Sequence, residues 1–444
     1  MRRPLTLSRR ALLAGAGAFA LSRATIAAPP GVKRPKVAAV FTELRLRSHA
    51  YNILLNLMGS CLFRGKLVDP GLDVVAFYAD QFPKDDMARE SSRRLSVPLF
   101  DSIDQALCLG GRELAVDAVL LIGEHGEYPL NELNQKMYPR KEFFDQIVAV
   151  MQRSDRYVPV FNDKHLSYRW DWAKAMYDQA ARLGIPLMAG SSVPLAERRP
   201  NIALPADARV VEAVSIHGGG METYDFHAFE VLQSFMEARR GGETGISRVQ
   251  LISGAAYQQA LAAGRWSQKL AAAAMQAERI ADMQRQNRPY PRPAPTTGPD
   301  KPAGDHALLL TYKDGTQAAV LKHGRTSDRW NFACSLADRA EPLATALYNG
   351  PWGNLNLFSG LSHAIAHFFR TGQAPYPVER TLLASGVLDA AMHSHQQGGK
   401  AIDTPHLEFA YKARDFSDFR ETGASWRKVT VATPQPTTFE PVKP

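Results

Sequence analysis

The chain has 444 residues, a formal net charge of +9 and three cysteines. Five of its arginines fall in the first 27 residues, which leaves about +4 over the remainder, too mild and too dispersed a charge for a nucleic-acid surface. Cys61, Cys108 and Cys334 sit in apolar stretches without metal-type spacing, so they read as buried small hydrophobes and not as a disulfide framework.

Residues 1–27 have the layout of an export signal: a basic start, an apolar stretch from Ala11 to Leu21, and small residues around Ala27. Within it, Ser8-Arg9-Arg10-Ala11-Leu12-Leu13 resembles the twin-arginine motif. The apolar run is well short of the ~20 residues of a membrane span, so no stable membrane anchor is expected. Cleavage after Ala27 would leave a periplasmic or secreted protein, delivered by the twin-arginine export machinery. That route carries folded proteins, often with a cofactor already inserted.

From 33 to 195 the pattern alternates strand and helix. Strands are expected at 36–41, 72–80, 116–123, 157–163 and 185–192, and helices at 49–63, from 101 onward, at 140–153 and at 170–184. Continuous apolar strands separated by helices predict a doubly wound, Rossmann-like parallel sheet of the α/β class, with ligands at the carboxyl ends of its strands. The region 196–415 changes character and predicts an α+β domain with a largely antiparallel, open sheet. Its signals are a strand over 211–220, a helix of about four turns, a strand at 246–252 and an Ala-rich helix over 268–286. A hairpin over 307–324 turns at Asp314-Gly315. Helices near 355–370 and 378–396 and a last strand at 406–413 follow. Residues 287–305 read as an extended proline-rich loop and 430–444 as a loose tail.

Three stretches carry a family resemblance: VDAVLLIGEHGEYP, VPVFNDKHLSYRWDWAKAMYDQAARLGIPLMAGSS and IHGGGMETYDFHAFEVLQ. Their order resembles that of the Gfo/Idh/MocA-type oxidoreductases, over residues 33 to 411. Asn162-Asp163-Lys164-His165 stands where that family has a Glu-Lys-Pro signature; the lysine matches, while Asp163 replaces glutamate and His165 replaces proline. The resemblance implies a catalytic Lys164 that binds substrate and assists proton movement, and a catalytic His227 with Glu230 three residues on. The family's further acid one turn before the histidine is missing, with Thr223 in its place and Glu222 and Asp225 beside it. His125, Asp163, Glu222, Asp225 and Glu230 are the substrate-side candidates. His217 joins Glu222, Asp225, His227 and Glu230 in a cluster of possible metal ligands, but no two histidines have the i, i+4 spacing of a helical zinc site, and no metal is assigned.

The first strand runs into Thr42-Glu43-Leu44-Arg45-Leu46-Arg47-Ser48, where a dinucleotide-binding turn normally carries glycines. Here Cβ atoms crowd the phosphate path and Glu43 repels it, whereas Thr42, Arg45, Arg47 and Ser48 offer charge-assisted hydrogen bonds. Asp80 stands where an acid would hold the adenosine ribose, and Glu124 follows the next strand of the crevice. NAD or NADP is the implied cofactor. The expectation is an exported oxidoreductase acting on a sugar or polyol. Two alternatives stay open: an NAD-dependent glycosidase-type enzyme of the same family, and a carbohydrate-binding protein that has lost the nucleotide and uses aromatics such as Trp170, Trp172, Trp266 and Trp352. A homo-oligomer paired through the second domain's sheet is implied by the resemblance.

Overall fold

The computed structural model describes residues 34–284 and 305–442; the expected export signal and nearly all of the expected proline-rich loop lie outside them. Six parallel strands form the first sheet in the order Leu99–Phe100, Asp73–Ala79, Lys36–Phe41, Ala118–Ile122, Val160–Asp163, Leu187–Gly190. The order reverses at Lys36–Phe41, so the crevice of this doubly wound sheet opens above the end of that strand. Alternation explains why the strand is apolar from Val37 to Phe41. Val37, Ala39 and Phe41 face Tyr51 and Leu54 of helix His49–Leu57. Ala38 and Val40 face Leu107, Phe144 and Ile147 on the other side. Both faces are buried, and no polar position is tolerated.

The second sheet has eight strands and is antiparallel except for the pair Val210–Gly218 and Gln317–Lys322. One face packs on helices Thr223–Met236 and Glu379–Gln396, with Phe235 stacked on Phe332 at 4.0 Å between ring centres. The other face is also covered, by helices Gly254–Ala262 and Gln268–Gln284, whose Tyr257, Trp266 and Leu270 meet Ile216, Leu309 and Leu321. The face through which pairing was expected is therefore occupied by the chain's own helices. Arg380 makes a two-pronged, fully buried pair with Glu237 and ties the two inner helices together. One apolar cluster runs from Phe41 and Leu54 through Phe226 and Phe229 to Phe358, so the two sheets share a core and fix the geometry of the gap between them.

Several expectations need correction. The first helix ends at Leu57 instead of residue 63, because Gly59 and Ser60 receive the C-terminal tail: Ser60 N donates to Val442 O at 2.6 Å. Cys61–Phe63 and Lys66–Val68 then form a separate ribbon. The expected last strand at 406–413 is absent; Ile402–Asp403 takes the sheet edge, and Pro405–Leu407 is a short 3-10 turn whose Leu407 is buried against the close-approaching Gly245. Strand Arg339–Tyr348 was not foreseen. The tail is not loose over its described part: Phe439 is buried edge-on against Tyr51, whose hydroxyl donates to Thr438 O at 2.8 Å.

Candidate ligand site

A cavity of about 510 Å³ lies between the two sheets. Lys164 enters it from the turn that follows strand Val160–Asp163. Its amide donates to Gly190 O at 3.2 Å, and its Nζ donates to Glu124 Oε1 at 2.8 Å. Glu124 follows strand Ala118–Ile122, and its other oxygen accepts from Arg140 Nη2 at 2.5 Å. Burial alone would push the Glu124 carboxyl up, but Lys164 and Arg140 hold it well below the ordinary carboxylate range. One carboxylate between two cations satisfies a charge cluster that would otherwise be costly to enclose. Arg140, the first residue of helix Arg140–Arg153, is fully buried in this cluster.

His227 reaches the same cavity from helix Thr223–Met236. Its Nδ1 lies 2.6 Å from Ser191 Oγ, and burial followed by the charge of Lys164 keeps the imidazole neutral, its pKa well below the usual value. Ammonium and imidazole thus line one space. His125 joins them; burial and then His49 push it down to about 3. His49 was not anticipated. It opens the first helix, and its Nδ1 lies 2.6 Å from Asp163 Oδ2. Its ring meets His125 and Phe358 edge-on at 5.0 and 4.7 Å. Three non-glycine residues lining this cavity, Arg47, His125 and Lys164, have left-handed backbones with φ of 67°, 71° and 64°. Each such residue costs about 1–3 kcal/mol, a strain that concentrates at ligand sites.

The aromatic wall is also different from expectation. Tyr224 and Trp330 stack at 5.2 Å with their planes 9° apart, and both line the cavity, as does Trp352, whose indole N–H donates to Thr433 O of the tail. Trp266 is instead core beneath the second sheet, Trp170 packs on His406 and Phe409, and Trp172 on Tyr168.

Two carboxylates assigned to the substrate side point elsewhere. Asp225 is fully enclosed, accepting from His217 Nε2 at 3.0 Å, His306 Nε2 at 2.8 Å and the Glu222 amide at 2.8 Å. Burial opposes its ionisation, but the two imidazoles pull it far below the carboxylate range. His217 Nδ1 accepts from the Gly219 amide at 3.3 Å, which puts the proton on Nε2 facing Asp225. The trio is closed by hydrogen bonds and presents no spare lone pair from His217 to an ion. Glu230 accepts from Ser191 N at 2.8 Å and Thr381 Oγ1 at 2.5 Å, and serves as a joint between two helices and the end of the first sheet. An added Cβ on Gly190 would fall 2.9 Å from both Glu230 and Thr381, which explains the glycine. The third, Glu222, accepts from Gln135 Nε2 at 2.9 Å and does not line the cavity, and burial pushes it up to about 7.

The positions nominated for a dinucleotide are spent on the protein itself. Thr42 Oγ1 donates to Glu124 O at 2.6 Å, Arg45 pairs with Glu43, and Ser48 Oγ accepts from the Arg45 and Tyr51 amides at 3.3 and 3.2 Å. The His49 amide, next in the helix N-terminus, donates to His125 Nδ1 at 3.4 Å. Arg47 is turned to Trp352 O at 2.7 Å, Asn354 Oδ1 at 3.0 Å and Gln435. Both oxygens of Asp80 are taken by tyrosines, Tyr78 at 3.1 Å and Tyr128 at 2.5 Å. Beside them, Gln81 and Glu127 exchange two hydrogen bonds, 3.0 and 2.8 Å, that carry the 124–128 loop across the crevice. These residues do not fit a dinucleotide: the ribose acid is hydrogen-bonded to two tyrosines, the phosphate turn keeps its Cβ atoms, and the His49 and Tyr51 amides of the first turn are satisfied.

No family model and no curated protein matches the chain. Solved structures do. Myo-inositol 2-dehydrogenase from Lactobacillus plantarum is similar with a TM-score of 0.50 at 10% identity, over 84% of this chain and 99% of that one. Scyllo-inositol dehydrogenase from Lactobacillus casei, with bound NAD(H) and scyllo-inositol, gives 0.51 at 12% over 84% and 99%. GenD2 from gentamicin A biosynthesis, in complex with NAD, gives 0.52 at 11% over 84% and 97%. The shared fold is an α/β parallel sheet joined to a largely antiparallel one, the architecture that the resemblance to Gfo/Idh/MocA-type oxidoreductases implied. At such identity the likeness is one of fold alone.

Proposed function

We propose that the cleft binds a single small polyhydroxylated molecule, a sugar or polyol, on a dehydrogenase-type fold that works without the dinucleotide. The observation that carries this reading is the contrast between the two halves of the crevice. The adenosine side is bridged by Tyr128–Asp80 and Gln81–Glu127, while the other side keeps a cavity of about 510 Å³, within the roughly 300–1,000 Å³ of small-molecule pockets. Its lining suits hydroxyl groups. Lys164 spends one of three donors on Glu124, and the neutral His227 and His125 offer ring nitrogens. Flat faces from Tyr224, Trp330 and Trp352 suit the C–H side of a sugar ring. The likeness of residues 1–27 to an export signal supports a ligand met in the periplasm or outside the cell.

Scyllo-inositol, held by one of the similar structures, is the first probe, with a panel of hexoses and hexitols beside it. Isothermal titration is expected to show saturable one-site binding for a member of this panel. Lys164→Met or Trp352→Ala weakens it by about ten-fold, the loss of one good contact. Absence of saturable binding across the panel would overturn the reading. The second reading, an NAD(P)-linked oxidoreductase or glycosidase-type enzyme, is favoured by the shared fold and requires the 124–128 loop to release Asp80.

A further inference from the structure

The His49–Asp163 pair is used by nothing above. Asp163 is buried at the last position of its strand, and its Oδ2 lies 2.6 Å from His49 Nδ1. The edge contacts with His125 and Phe358 fix the ring further. In the neutral imidazole a carboxylate at Nδ1 holds the proton on that nitrogen, so that Nε2 carries the lone pair a base needs. Nε2 of His49 has no hydrogen-bond partner among the described residues, and His49 lines the cavity. Lys164 lines it too, its ammonium anchored on a carboxylate that Arg140 holds from behind. A fixed base and a fixed cation on one cavity are the two groups needed to take a proton from carbon and to hold the negative charge this leaves on oxygen. Such a step uses no hydride acceptor, which suits a crevice whose Asp80 is hydrogen-bonded to Tyr78 and Tyr128.

We propose, on the reading that the cleft takes a polyhydroxylated ligand, that it acts on keto forms of such molecules and exchanges the proton on the carbon next to the carbonyl. His49 Nε2 takes that proton. The C–H pair becomes the C=C bond of an enediolate, the carbonyl π pair moves onto oxygen, and the Lys164 ammonium holds the oxyanion. Return of a proton from the His49 imidazolium to the same carbon completes an exchange with solvent. Return to the former carbonyl carbon, with the hydroxyl proton passing from one oxygen to the other, completes an isomerisation. Electrons and atoms are conserved within the substrate. His49 is the catalytic base, and Asp163 is a positioning residue.

The test is proton NMR in D2O with two probes, the 2-keto derivative of myo-inositol and D-fructose, on the full mature protein. Wild type is expected to erase the signal of the hydrogen next to the carbonyl at least about 100-fold faster than buffer, the scale of a positioned base. His49→Gln abolishes that gain in a protein that still binds the probe saturably, and His49→Asn serves as a second variant should the first not fold. Asp163→Asn lowers the exchange rate and leaves affinity intact, a split that a purely structural role would not produce. Wild type that binds a probe without exchanging it, or His49→Gln that exchanges at the wild-type rate, overturns this inference and leaves the binding reading standing. Failure of wild type to bind either probe, or any sugar or polyol, overturns both.

Discussion

Glu222 accepts a hydrogen bond from Gln135, and burial raises its pKa from the carboxylate range to about 7. The folded state therefore binds a proton that the unfolded chain releases near pH 4.5. Between those values the native form holds more protons, so stability declines as pH rises from about 4.5 to about 7 and levels off above. Glu222→Gln is expected to raise the melting temperature at pH 8 and to leave it unchanged at pH 4; an equal effect at both would contradict the assignment. At this scale part of the site was legible in the sequence. Lys164, Glu124 and His125 each follow a buried apolar strand, and such positions face the crevice of a doubly wound sheet by construction. The dyad was not legible, because His49 and Asp163 are 114 residues apart and meet only when the first and fifth strands are laid in one sheet. The same holds for Arg140, which pairs with Glu124 only once the helix that carries it is packed against the sheet. Asp225 and Glu230 misled because helical spacing says which residues share a face, but not which neighbour that face meets.

Elements with a clear period were read closely. Helix Arg140–Arg153 has the expected bounds, and helix Trp170–Leu183 ends at Gly184, whose φ of 66° provides the left-handed cap. The hairpin around Asp314-Gly315 likewise joins strands His306–Tyr312 and Gln317–Lys322. Elements whose fate depends on distant chain were misread. HLEFAYKA alternates like a strand, yet Leu407 is used as one anchor and the edge is already taken by Ile402–Asp403. Proline and threonine near the terminus suggested a loose tail, whereas Phe439 inserts beside Tyr51 and the Arg94 guanidinium donates to its carbonyl. Replacing a buried Phe by Ala costs about 3 kcal/mol or more. Phe439→Ala should thus release residues 430–442, making them cleavable by limited proteolysis under native conditions where wild type resists. Equal resistance would show that the tail is held by other contacts.

The whole molecule couples two sheets through one apolar core, and the cleft exists because that core sets their separation. Its second sheet carries helices on both faces, so any homo-oligomer is expected to use a different surface from the one the family resemblance implied. The architecture was visible in the alternation of strands and helices. The state of the crevice was only half visible: the missing glycines raised the question, and the capping of Asp80 by Tyr128 requires a contact across 48 residues. The central claim is that this fold holds its ligand without a nicotinamide cofactor. The direct measurement is titration of the purified mature protein with NAD+ and NADP+, paired with mass spectrometry of whatever it releases on denaturation. No saturable heat and no nucleotide is the predicted result; stoichiometric NAD or NADP, bound or released, would contradict it.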